Sequence, residues 1–184
     1  MQLPSMPPHV STRYGGTGKT VESMRDLAEG ERGAKSLELR LVLENLIRNL
    51  NPRDRLSQLA AIYNWFDRHY HFVTDPLKVE QVKDPVRILE EIREYNRALG
   101  DCDDATTFLS AAGQALGSKM KIVRSGFRPR QLGAESKRFT HVFVVGYDQY
   151  GRPIVLDPVA GRRTSRMLRR VRQFASTGVH HGSR

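Results

Sequence analysis

Apolar positions recur along this chain with two different periods. Residues 21–28 predict a short helix. Over residues 36–50, Leu39, Val42, Leu43, Leu46, Ile47 and Leu50 share one face of a 3.6-residue helix, while Glu38, Arg40, Glu44 and Arg48 lie off it. Asn51-Pro52 then supplies a cap and a first-turn proline. A helix is expected from there to about His69, burying Leu56, Leu59, Ala60, Tyr63 and Phe66, with Trp65 beside that face. Residues 70–76 break out as extended chain, and Asp84-Pro85 repeats the cap-plus-proline start for a helix through Ile88, Leu89, Ile92 and Tyr95. After Gly100, the positions Ala105, Phe108, Leu109, Ala112 and Leu116 describe one more buried helical face, which Gly117 closes.

Beyond that helix the period falls to about two. Residues 121–127, 140–148 and 153–159 read as strands, the last two joined through Asp148-Gln149-Tyr150-Gly151. Helices first and antiparallel strands second is the order of an α+β domain, with N-terminal helices packed on a small antiparallel sheet. The domain is expected over residues 21–160. Residues 1–20, in which three prolines fall before Tyr14, read as an extended or disordered arm, and residues 161–184 as a basic, arginine-rich tail. That tail contains a short amphipathic stretch around Met167, Leu168, Val171 and Phe174.

Composition adds few constraints. With 184 residues, 39% hydrophobic and 27% charged, the chain suits one domain with one core. No apolar run approaches the length that spans a bilayer, and no signal-peptide core opens the sequence, so a cytoplasmic or virion-associated location is expected. The net charge of +10 is concentrated in residues 119–138 and in the tail, which carries seven arginines and no acid. No nucleic-acid recognition motif accompanies it, and a solvated basic face or a docking arm explains it better. Gly15-Gly16-Thr17-Gly18-Lys19-Thr20 ends like a phosphate loop, but Arg13 stands where the motif requires glycine and no strand pattern precedes it. His69 and His71 diverge at a helix end with no third ligand nearby, and His180-His181 lies in the tail, so no metal site is expected.

The single cysteine, Cys102, sits at a helix start behind Gly100. One cysteine forms no internal disulfide, so this thiol is either inert or chemically employed. His141 is the one histidine that opens a strand-like run. If the hairpin turns about Gln149, Asp157 lies directly opposite it. A thiol, an imidazole and a carboxylate in that order are the parts of a nucleophilic triad: Cys102 attacks, His141 moves the proton and Asp157 holds the ring in the useful tautomer. The Cys102 N–H, at the helix start, is a natural donor to a developing oxyanion. Asp101, Asp103 and Asp104 suit a helix start but oppose ionisation of the thiol, so His141 must supply the activation.

Gly100-Asp101-Cys102-Asp103-Asp104-Ala105, Thr140-His141-Val142-Phe143-Val144 and Val155-Leu156-Asp157-Pro158 resemble the three motif blocks of the transglutaminase-like superfamily. That superfamily belongs to the papain-like fold, and the Asp-Cys-Asp-Asp form is most similar to bacterial and phage transglutaminase-like cysteine peptidases. Ile62-Tyr63-Asn64-Trp65-Phe66 with His71-Phe72 resembles the block before the nucleophile, so the resemblance covers residues 56–159. It implies acyl transfer from a protein or peptide substrate through a thioester, to water or to an amine, without metal or organic cofactor, with Cys102 as nucleophile, His141 as general base and acid, and Asp157 as orienting carboxylate. Phe143 stands where the family commonly has tryptophan, and Tyr95 and Asn96 are the candidates for a side-chain oxyanion donor. The competing expectation is a non-catalytic assembly module of a larger, phage-like particle, docked through the N-terminal arm and the C-terminal tail.

Overall fold

The computed structural model describes residues 10–13, 17–75, 79–125 and 141–159, with side chains for residues 19–75, 81–125 and 141–159. The elements run β1 (Val10–Arg13), α1 (Thr17–Glu29), α2 (Leu37–Ile47), α3 (Arg55–His69), β2 (Tyr70–Phe72), β3 (Val79–Val82), α4 (Pro85–Tyr95), β4 (Ala98–Gly100), α5 (Cys102–Ala115), β5 (Met120–Ser125), β6 (His141–Tyr147) and β7 (Pro153–Leu156). Helices and strands mix as expected for α+β. The strands form three small sheets: antiparallel β1–β3, parallel β2–β4 and an antiparallel β5–β6–β7 meander.

Side-chain caps set the helix starts. Ser36 Oγ accepts the Leu39 N–H at the head of α2, and Asp84 accepts the Arg87 N–H at 2.9 Å with Pro85 in the first turn of α4. The start of α3 differs from expectation. Asp54, not Asn51, is its cap, taking the Ser57 N–H at 3.0 Å and the Ser57 hydroxyl at 2.6 Å. Asn51 instead turns the preceding chain by accepting the Arg53 N–H at 2.9 Å, which leaves Pro52 outside the helix.

α5 is the central element. Every residue from Asp103 to Gly113 is buried, because α1, α3, α4 and the β5–β6 sheet all pack on it. Phe66 of α3 lies parallel to Phe108 at 4.5 Å between ring centres and to Tyr70 at 4.7 Å, tying α3 to α5 through stacked rings. A smaller cluster of Met24, Val82 and Val142 joins α1 to the sheet, with Cys102 and Ile122 packed against it. No helix among the described residues is long and apolar enough to cross a membrane.

One expectation at the N-terminus is corrected, that no strand precedes Gly18-Lys19-Thr20. The arm expected over residues 1–20 contains β1 and the first turn of α1, since Val10 pairs with Val82 and Arg13 with Val79. A strand therefore does precede Gly18-Lys19-Thr20. It pairs antiparallel in a two-stranded ribbon, and Arg13 still occupies the glycine position, so the phosphate-loop reading fails on the residue alone. Residues 1–9, 126–140 and 160–184, which hold much of the basic flank and the whole tail, lie outside the described residues.

Candidate active site

The three residues singled out by the sequence come from three elements. Cys102 is the first residue of α5, where Asp101 caps the helix by accepting the Asp103 N–H at 2.9 Å. Its main-chain N–H, at the first helical position, has no intrahelical acceptor. Tyr70 Oη donates to the Asp101 carbonyl and pins the turn from behind. The sequence around Tyr70 marks only the start of extended chain; the contact arises because β2 pairs in parallel with β4, the strand that leads into the turn.

The thiol is partly buried. Burial first, then Asp103 and Asp101, pushes it up to about 12, against a main-chain hydrogen bond from Val142 that favours the thiolate. Sγ donates to Asp103 Oδ1 at 3.6 Å. At neutral pH the sulfur is therefore a protonated thiol, and the aspartates act on it in the direction their charges dictate.

His141 opens β6, and its Nε2 lies 2.7 Å from Asp157 Oδ2. Both oxygens of the carboxylate are engaged and its main chain is anchored. Asp157 is 4% exposed, its Oδ1 accepts the Val159 N–H at 3.1 Å, and its main-chain carbonyl accepts Tyr63 Oη at 3.0 Å from the core of α3. With Nε2 engaged, Nδ1 is the ring nitrogen left for proton transfer. Phe143 lies 6.0 Å from the His141 ring on the same strand face.

The hairpin register differs from the expected one. Val144 faces Leu156 and Tyr147 faces Pro153, which centres the loop on Tyr150 rather than Gln149. Asp148 enforces that longer loop by accepting the Tyr150 N–H at 2.9 Å and the Arg152 N–H at 2.8 Å, with Gly151 in the left-handed region at φ 76°. Continued outward, this register sets His141 opposite Val159. Asp157 is then the diagonal neighbour, still on the same face because the shift is two residues, and within reach of a long side chain.

Cys102 and His141 are brought to one end of β6. The sulfur packs against Val142, the next residue along the strand, and Thr106 of the same helix donates to the Val142 carbonyl at 3.2 Å. No hydrogen bond joins Sγ to the imidazole among the described residues. Among the described residues, no hydrogen bond joins Tyr95, 60% exposed, or Asn96, the left-handed residue ending α4, to the sulfur. Asp101, Cys102 and Asp103 place three ligand atoms within 4.8 Å of one another, fewer than a hard cation takes, and the helix cap and the thiol already occupy these carboxylates. His69 Nδ1 lies 2.8 Å from the Trp65 carbonyl, while His71 is exposed on β2.

A wide groove of about 1050 Å³ lies at the opposite end of β6, between the start of α3, the α5–β5 turn and the β6–β7 loop, and touches none of the three residues. The chemistry-bearing groups, not this groove, mark the site. In comparisons with protein-family models, curated proteins and solved structures, the chain matches none.

Proposed function

We propose that this chain is a thiol-dependent acyl-transfer enzyme of the transglutaminase-like, papain-like type, acting on amide bonds of a protein or peptide. The observation that carries the reading is the 2.7 Å pair of His141 Nε2 with the buried Asp157 carboxylate, at the strand end on which the Cys102 turn packs. An imidazole so paired keeps its proton on Nε2 and presents Nδ1 as the proton acceptor. Cys102 gives its proton to Nδ1 as Sγ attacks the amide carbon, and the oxyanion draws on the Cys102 N–H at the start of α5. Collapse breaks the C–N bond, the leaving amine takes the proton from His141, and water or a second amine then cleaves the thioester. Because the resting thiol is neutral, the base acts during attack and not through a standing thiolate–imidazolium pair.

The test is the pH profile of Cys102 alkylation by iodoacetamide. A His141-dependent limb near neutral pH is expected, reduced at least about tenfold in His141→Ala, above which a hydroxide-dependent limb rises equally in both proteins. Superimposable profiles across the range would overturn the reading.

A second reading, a non-catalytic assembly module, is favoured by one observation: the sulfur bonds to Asp103 and packs on Val142, as an inert core thiol would. On that reading, Cys102→Ala leaves incorporation into the larger particle intact, and removing residues 161–184 abolishes it.

A further inference from the structure

One residue grips the Cys102 turn from both sides. Lys83 lies between β3 and α4. Its main-chain N–H donates to Asp104 Oδ1 at 2.6 Å, two residues after the cysteine. Its Nζ donates to the Leu99 carbonyl at 2.6 Å, three residues before the cysteine, and sits 3.0 Å from Glu91 Oε1. Glu91 completes the clamp by accepting the Leu99 N–H at 3.4 Å through Oε2.

Strand geometry shows what these two side chains replace. β4 pairs with β2, and the Gly100 carbonyl receives the Val73 N–H at 2.8 Å. Alternation therefore turns the N–H and the carbonyl of Leu99 to the outer edge of the pair. An open edge ordinarily faces water or another strand. Here a buried carboxylate takes the donor and an ammonium takes the acceptor, in the places a neighbouring backbone would fill. The pair is mostly shielded, with side-chain exposures of 19% for Lys83 and 11% for Glu91. Shielded pairs of this kind contribute little net stability, because desolvation offsets attraction, so what such a pair supplies is geometry.

We propose that Lys83 and Glu91 are positioning residues for Cys102: they fix the chain on both flanks of the nucleophile and hold its sulfur at the strand end where His141 stands. This rests on the reading of Cys102, His141 and Asp157 as an acyl-transfer triad. Two bonds hold the edge segment before the cysteine, Lys83 on the Leu99 carbonyl and Glu91 on the Leu99 N–H, and a third holds the helix after it, from the Lys83 main-chain N–H to Asp104. None of them touches the sulfur. Their effect is on where Sγ stands relative to Nδ1, a distance on which proton transfer depends steeply.

The experiment uses the full chain and compares the wild type with Lys83→Met, the double variant Lys83→Met/Glu91→Gln and Lys83→Arg. In the double variant the ammonium and the carboxylate are removed together while Arg87 keeps Glu90, and Gln retains an acceptor for Leu99, so the pair is tested without a buried charge left beside it. For each protein the iodoacetamide pH profile of Cys102 is recorded beside a thermal melt. Expected is a loss of about tenfold or more in the His141-dependent limb near neutral pH, with the hydroxide-dependent limb within about twofold of wild type and substantial recovery in Lys83→Arg. A purely structural role would lower the melting temperature and leave the shape of the profile alone. A double variant whose profile overlays that of the wild type overturns the positioning role while the triad reading stands. A wild type with no His141-dependent limb overturns both.

Discussion

Asp104 shows how far a single side chain departs from its sequence-level meaning. In the sequence it is one of three acids at a helix start. In the structure burial pushes its carboxyl up to about 7, against the hydrogen bond from the Lys83 main chain and with Asp101 adding to the rise. Between the ordinary carboxylate range and pH 7 the folded protein then holds a proton that the unfolded chain has lost, so this group's contribution falls as pH rises through that window. Asp104→Asn keeps the acceptor without the charge. Its melting temperature should match wild type near pH 4 and exceed it at pH 8, by an amount on the order of a few kcal/mol of unfolding free energy at most. Melts at the two pH values check this, and a difference independent of pH would show that the carboxyl is not held neutral. The identities of Cys102, His141 and Asp157 were readable as chemistry because few residue types perform it. The burial that adds to the effect of Asp101 and Asp103 on the Cys102 thiol was not, since desolvation is set by neighbours far away in the chain.

At the level of elements, two glycines of similar appearance play different parts. A Cβ on Gly100 would fall 2.2 Å from Asp104 Oδ2 and 2.6 Å from Tyr70 Oη, both held by hydrogen bonds around the Cys102 turn. A Cβ on Gly113, inside α5, would meet Met120 Sδ at 2.3 Å, on a flexible side chain that can swing away. Gly100→Ala should therefore cost about 1–3 kcal/mol in urea denaturation and also slow Cys102 alkylation near neutral pH. Gly113→Ala should cost under about 1 kcal/mol, because the helix gains roughly that much from replacing glycine. The long helices α2, α3, α4 and α5 were legible from their apolar period. The strands β1, β2, β3 and β4 are three or four residues each, too short to display a period, and their partners lie elsewhere in the sequence.

Across the whole molecule, charge is distributed by segment. The described core holds its ions in local networks, such as Arg32 with Asp84 at 3.1 Å, Arg87 with Glu91 at 3.3 Å and Arg152 with Asp148 at 2.6 Å. Removing residues 161–184 deletes seven arginines and no acid, taking the net charge from +10 to +3. The truncated protein should leave a heparin column at distinctly lower salt than the full chain, with an unchanged alkylation profile. Equal elution would place the polyanion affinity in residues 119–138, and a changed profile would mean that the tail contributes to the site.

Local pattern alone was enough for the helical inventory, the cap at Asp84, the mixed helix-and-strand class and the three residues worth testing, because periodicity, capping and nucleophilic chemistry are written within a few residues of one another. Contact decided the rest. The loop centre moved from Gln149 to Tyr150 because Asp148 gathers the N–H groups of both Tyr150 and Arg152, and the imidazole–carboxylate pair survived only because a two-residue shift preserves the strand face. The cap of α3 passed from Asn51 to Asp54 through one pair of hydrogen bonds to Ser57. Lys83 and Glu91 carried no signal at all, since gripping an edge strand from outside depends on which backbone groups the pairing of β2 with β4 leaves unsatisfied, and that is known only once the strands have met.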